Sequence, residues 1–190
     1  MEANRIISGA IVFFKASTAK YLYKKYNATS VLDFTMGWGG RLLGAMALDI
    51  NYIGVDTNLN LKQGYEDMVN DLPCDKEKVT LLWESCLGID YSKYDYDLIL
   101  TSPPYVNMEL YEGMTPFESD KVFYEEFLIP TMDKAFTHMK EGGHMCINIS
   151  PKMFKALMKH GYKEPDDQID LRQQLGQNHS IKSQDYTYIW

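Results

Sequence analysis

Val31-Leu32-Asp33-Phe34-Thr35-Met36-Gly37-Trp38-Gly39-Gly40-Arg41 joins a short apolar run to a glycine-rich turn, and the residues from Arg41 to Leu48 are rich in Leu and Ala. The apolar run reads as a strand, the glycines as a tight turn, and the Leu/Ala stretch as the opening of a helix. The same alternation continues outward. Asn51-Tyr52-Ile53-Gly54-Val55 reads as a second strand ended by Asp56, and Leu59 to Asn70 as helical. Val79 to Trp83 reads as a third strand and Leu98 to Thr101 as a fourth. Phe117 to Met139 is mostly helical, with Pro130 expected to kink or break it and Gly142-Gly143 to stop it. His144 to Ile149 is a fifth strand, Pro151 to Lys159 a short helix, and the tail Tyr186-Thr187-Tyr188-Ile189-Trp190 has strand character. Lys163 to Gln184 is polar and poorly periodic, and reads as loops around one weak strand. Strands alternating with helices predict an α/β fold with a doubly wound, mostly parallel sheet and helices on both faces.

Size and charge narrow the function. The 190 residues suit one domain, taken here as 1–190. No apolar run approaches the ~20 residues that span a bilayer, and Met1 to Ile7 lacks the pattern of a signal peptide. Three cysteines, Cys74, Cys86 and Cys146, are few and widely spaced, which points to a cytoplasmic or other intracellular reducing compartment without disulfides or a zinc site. His138, His144, His160 and His179 do not cluster as metal ligands. The net charge of −7 counts against a freestanding DNA binder. Two local groups run against that total: Lys15, Lys20, Lys24 and Lys25, and Lys152, Lys155, Lys159 and Lys163 at near-helical spacing. Each group is either a basic patch or a solvated helix face.

The fourth strand carries the chemistry. Tyr96-Asp97-Leu98-Ile99-Leu100 runs into Thr101-Ser102-Pro103-Pro104-Tyr105. Proline fixes φ, removes a donor and biases the preceding residue towards extended backbone. The carbonyls of Ser102 and Pro103 are then placed to accept, beside the flat ring of Tyr105. Acceptors next to a stacking face suit a planar aromatic amine.

Open parallel sheets bind ligands outside the carboxyl ends of their strands, where Asp33 to Gly40 sits. The spacing is not the dinucleotide fingerprint, because Leu42 stands where Gly or Ala is expected, and NAD or FAD is disfavoured. Asp56, ending the second strand, suits the two hydroxyls of a ribose or the cap of the helix that follows. Glu84-Ser85, after the third strand, is placed to meet an adenine amine or is an exposed loop.

Four segments in order resemble the S-adenosylmethionine-dependent amino-methyltransferases of nucleic-acid bases. Phe14-Lys15-Ala16-Ser17-Thr18 resembles their F-K-P-S/T segment, Asp33 to Arg41 their D-P-F-x-G-x-G turn, Asp56 their acidic residue after strand two, and Thr101 to Tyr105 their catalytic motif. The likeness runs from about Phe13 to Ile149, and Ala16 and Phe34 stand where proline is usual. It implies a Rossmann-like class I methyltransferase with a seven-stranded sheet and S-adenosyl-L-methionine as cofactor. Asp33, Phe34 and the Gly37–Gly39 turn would hold the methionine part, with Lys15, Ser17, Thr18 and Thr101. Asp56 would hold the ribose, and Glu84 and Ser85 the adenine. Ser102, Pro103, Pro104 and Tyr105 would form the catalytic pocket.

The Ser-Pro-Pro-Tyr version resembles the cytosine N4 subgroup more than the adenine N6 enzymes. The implied partner is DNA, duplex or single-stranded. RNA substrates and a non-catalytic, cofactor-binding subunit are the alternatives; Ser102 disfavours protein glutamine. Pro73-Cys74 has the letters of a carbon-5 cytosine motif but lies away from the fourth strand. Val106 to Pro116 is short, so no separate target-recognition domain is expected. The expectation is a minimal catalytic domain that reads a short site, prefers single strands, or works with a separate recognition subunit or as a homodimer, with Tyr111 and Phe117 offering stacking surfaces.

Overall fold

A computed structural model of the chain describes residues 14–104, 116–171 and 185–190. Its seven strands are β1 (Ser30–Asp33), β2 (Asn51–Val55), β3 (Val79–Leu82), β4 (Leu98–Thr101), β5 (His144–Ile149), β6 (Asp167–Ile169) and β7 (Tyr186–Ile189). They form one sheet in the order β3-β2-β1-β4-β5-β7-β6. The pairings from β3 to β5 are parallel, and β7 runs antiparallel to both β5 and β6. Asp97 fixes the entry to β4 against β1 by accepting from the main-chain N–H of Thr29 and Ser30 at 3.0 and 3.2 Å.

The inner strands β1, β2, β4 and β5 are buried on both faces, as crossover helices require. Val31, Tyr52, Leu98, Leu100 and Cys146 face one apolar layer, under α1 (Ala16–Lys25), α2 (Gly40–Met46) and α3 (Lys62–Asp71). Leu32, Ile53, Ile99, Met145 and Ile147 face the other, under the helices that follow β4 and β5. Each fully buried Leu or Ile contributes roughly 1.5–3 kcal/mol.

The helix after β4 differs from its expected form. α4 (Asp120–Val122) continues through a π-helical segment, Phe123–Leu128, into α5 (Ile129–His138) without a break. Pro130 lies in the first turn of α5. Its ring would clash with a carbonyl one turn back and offers no N–H, and the wider π register ahead of it absorbs both. α6 (Pro151–Lys159) follows β5 after the Ser150 cap, whose hydroxyl accepts from Met153 N at 3.2 Å.

The path of the chain sets the position of the site. It moves outward from β1 to β2 to β3, then returns to the far side of β1 for β4. The reversal leaves a crevice outside the carboxyl ends of β1 and β4. Asp33, the glycine turn and Thr101-Ser102-Pro103-Pro104 all lie at those ends. Tyr105 and Tyr111 lie outside the described residues.

Candidate active site

The turn after β1 is held from three sides. Gly37 and Gly39 have φ of +55° and +82°, a region that L side chains avoid. Met36 N donates to Val55 O at 3.0 Å, and Gly37 N to Asp56 Oδ2 at 2.9 Å, which ties the turn to the end of β2. From α3, Tyr65 Oη donates to the Met36 and Gly37 carbonyls, each at 3.0 Å. The Phe14–Ala16 segment closes the third side, since a Cβ on Gly40 would lie 1.9 Å from Phe14 O.

Beneath the turn is a buried ion pair. Asp33 is 0% exposed and Arg41 5% exposed. Arg41 Nε donates to Asp33 Oδ2 at 2.6 Å, and Tyr52 Oη donates to the same oxygen at 2.7 Å. Arg41 Nη2 reaches on to the Thr35 carbonyl, and the ring of Phe14 lies 5.2 Å from the guanidinium carbon. Burial opposes the Arg41 charge, but Asp33 more than offsets it by charge and hydrogen bond, so the guanidinium pKa is raised. The Asp33 side chain is thus enclosed by the chain's own donors. It braces the turn from below and presents no exposed oxygen to a ligand.

The crevice itself is bridged by two hydroxyls. Thr35, after β1, and Thr101, ending β4, hydrogen-bond through their Oγ1 atoms. One residue on, Ser102 Oγ donates to the Asn148 carbonyl of β5 at 3.1 Å. That commits the Ser102 proton and leaves its lone pairs to accept from a ligand. Pro103 is buried and Pro104 half-buried beside it.

Asp56 is half-buried at the end of β2. Its Oδ1 accepts from Asn58 N at 2.8 Å and its Oδ2 from Gly37 N. Each oxygen keeps a further lone pair, the capacity needed for two ribose hydroxyls. The capping alternative goes to another residue: Asn58 Oδ1 accepts from Asn60 N at 3.1 Å and caps the short turn that precedes α3. Burial raises the Asp56 carboxyl pKa, and the N–H groups of Asn58 and Gly37 pull it back.

The remaining expected residues divide by exposure. Glu84 and Ser85 are exposed beside the carboxyl end of β3, as are Lys15 and Ser17 at the start of α1. Thr18, Thr101 and Phe34 are buried, Phe34 within the apolar layer over α4–α6. Trp38, 45% exposed, lines an apolar cavity of about 220 Å³ with Asn60, Leu61, Gly64, Tyr65 and Met68. Neither Asp56, Glu84 nor Ser102 lines it, so it adjoins the candidate site without being part of it. Sequence reasoning did not assign Arg41, Tyr52, Tyr65, Thr35 or Asn148 to the site. Arg41 carried a signal, as the lone charge in an otherwise apolar helix.

No protein-family model matches the chain. Over 90 residues, 45% of this chain, it is 33% identical to the Type II methyltransferase M.MjaVI of Methanocaldococcus jannaschii; the match spans 44% of that relative's length. The structure superposes on an S-adenosylmethionine-dependent methyltransferase from Clostridium acetobutylicum with a TM-score of 0.61 and 13% identity, covering 95% of this chain and 92% of that one. An rRNA methylase from Streptococcus thermophilus gives a TM-score of 0.59 at 12% identity, covering 92% and 91%. The fold is that of the class I methyltransferases. Within this class I fold, the glycine turn, Asp56 and Ser102 surround the crevice at the switch point of the sheet.

Proposed function

We propose that the chain is an S-adenosylmethionine-dependent methyltransferase acting on the exocyclic amine of a DNA base, with cytosine N4 favoured over adenine N6. The observation that carries this reading is Ser102, an acceptor hydroxyl locked by Asn148 at the carboxyl end of β4, one residue after the Thr101 that bonds Thr35 across the crevice. The partial identity to a Type II methyltransferase supports the substrate class.

The residues present fit the cofactor. Asp56 keeps two acceptor sites at the end of β2, and the turn at Gly37 brings backbone close without a Cβ, where an added one would meet only Thr35 O at 3.8 Å. When bound, S-adenosylmethionine supplies an electrophilic methyl group; the new N–C bond uses the amine lone pair, the S–C electrons stay on sulfur, and one amine proton leaves. Ser102 and the Pro103 carbonyl would accept the amine N–H bonds, which draws nitrogen towards sp³ and frees its lone pair. Ser102 donates its own proton to Asn148 O, so it orients the amine and is not the base; the departing proton goes to solvent. Orientation and electrostatic stabilisation are the main contributions of such a site. In a duplex the base must leave the stack, at a cost of a few kcal/mol.

Transfer of labelled methyl groups to single-stranded and duplex DNA tests the proposal, with Ser102→Ala beside the wild type. Labelling that falls in the variant while cofactor affinity stays unchanged supports it. Equal labelling by both proteins removes Ser102 from the mechanism.

A further inference from the structure

We infer that the exposed lysine face of α6 is a track for the phosphodiester backbone of the strand whose base reaches Ser102. The inference rests on the nucleic-acid reading above and adds a surface to it. Lys152, Lys155 and Lys159 are exposed, while Met153 and Leu157 on the same helix are buried in the core. At 100° per residue the three lysines fall within one narrow arc, turned away from the buried side. The helix has no acidic residue, and none occurs between Glu141 and Glu164. In a chain of net charge −7, that makes a local exception.

Among the described residues the three lysines also have no ion-pair partner, unlike five others. Lys25, Lys62, Lys78, Lys93 and Lys121 lie within 4.0 Å of a carboxylate. Among the described residues, no carboxylate stands within that distance of Lys152, Lys155 or Lys159. Glu125, on the adjoining π-helical segment, is occupied by His160 at 2.9 Å and Lys121 at 3.8 Å. Lys163 is also committed elsewhere, its ammonium 3.5 Å from the centroid of the Phe136 ring.

Position ties this face to the candidate site. α6 starts directly after β5, whose Asn148 carbonyl holds Ser102. Lys152 is in the first turn, and Lys159 lies roughly 10 Å further along the axis. Each strand of a duplex carries one phosphate per about 3.4 Å of helix axis, so a row of this length can meet more than one. The track would give an acidic protein a local hold on a polyanion, beside the acceptor for its base.

The test measures binding of fluorescent single-stranded DNA, duplex DNA and RNA against salt concentration. It compares wild type with Lys152→Ser/Lys155→Ser/Lys159→Ser, and with a control carrying Ser at Lys62, Lys76 and Lys93. Loss of three phosphate contacts lowers the log–log salt slope by about 2 for a single strand and nearly 3 for a duplex. Between 50 and 200 mM salt, the wild type should then lose roughly 20-fold more single-strand affinity than the track variant. The control should keep the wild-type slope, and cofactor affinity should be the same in all three proteins. An unchanged slope in the track variant, or no oligonucleotide binding by the wild type, overturns the track. Base methylation with an unchanged slope overturns the track alone; lysine-dependent binding without methylation overturns only the methyltransferase reading.

Discussion

Replacing Arg41 by Met removes one half of the buried pair beneath the glycine turn and keeps most of the side chain's apolar length. Asp33 is then left without its cationic partner at 0% exposure. Its surviving donors are Tyr52 Oη at 2.7 Å and the Thr35 N–H at 3.4 Å, the second near the limit of a hydrogen bond. Breaking a buried pair from one side costs about 3–5 kcal/mol. The Tyr52 bond keeps the expected loss near the lower end, at about 3–4 kcal/mol. With a urea slope of about 2 kcal/mol/M, the unfolding midpoint drops by roughly 1.5–2 M. Asp33→Asn/Arg41→Met removes both charges, and the cycle should show a coupling of at least about 1.5 kcal/mol. Arg41 also grips the Thr35 carbonyl, so cofactor affinity should fall in calorimetry on the single variant. A loss under about 1 kcal/mol, with additive single and double variants, would refute the claim that this pair braces the turn.

Other perturbations separate the parts of the site. Asp56→Ala should weaken cofactor binding and loosen Gly37, which loses its acceptor. Because burial lifts the Asp56 pKa above 3.8, wild-type affinity should begin to fall at a pH above that value, and calorimetry on Asp56→Asn should show no such step. Stability runs the other way: the folded state binds this proton more tightly than the unfolded chain, so the Asp56 contribution to stability decreases as pH rises through the same window. Ser102→Ala should cost about 10- to 150-fold in turnover, the worth of a hydrogen bond of roughly 1.5–3 kcal/mol, with little change in cofactor affinity. Gly40→Ala places a methyl group 1.9 Å from Phe14 O, so its melting temperature should drop by several degrees; an unchanged melting temperature would show that the Phe14–Ala16 segment can move aside freely.

The sheet was legible because its inner strands are buried on both faces and read as continuous apolar runs. Leu98 to Thr101 and His144 to Ile149 were bounded as the structure has them. β6 was visible only as one weak strand within a polar stretch. Two of its three residues, Asp167 and Gln168, are exposed, so it carries little apolar signal. Pro130 marked a disturbance but not its form: the change of register lies ahead of it, in Phe123–Leu128, and the helix runs on through the proline without a break. At the site, residues at strand ends were legible from position. The interior contacts were not: nothing local to Tyr52 or Asn148 says that a hydroxyl will meet Asp33 or that a carbonyl will meet Ser102. Those contacts exist only once β2 lies beside β1 and β5 beside β4.

The central claim is methyl transfer to the exocyclic amine of a base. Its most direct test is mass spectrometry of nucleosides after incubating the protein with S-adenosylmethionine and mixed-sequence DNA, duplex and single-stranded, with RNA in parallel. The account predicts N4-methyl-2′-deoxycytidine in the DNA digest, sharply reduced on Ser102→Ala. No methylated amine in any digest, from protein that binds the cofactor, would contradict it.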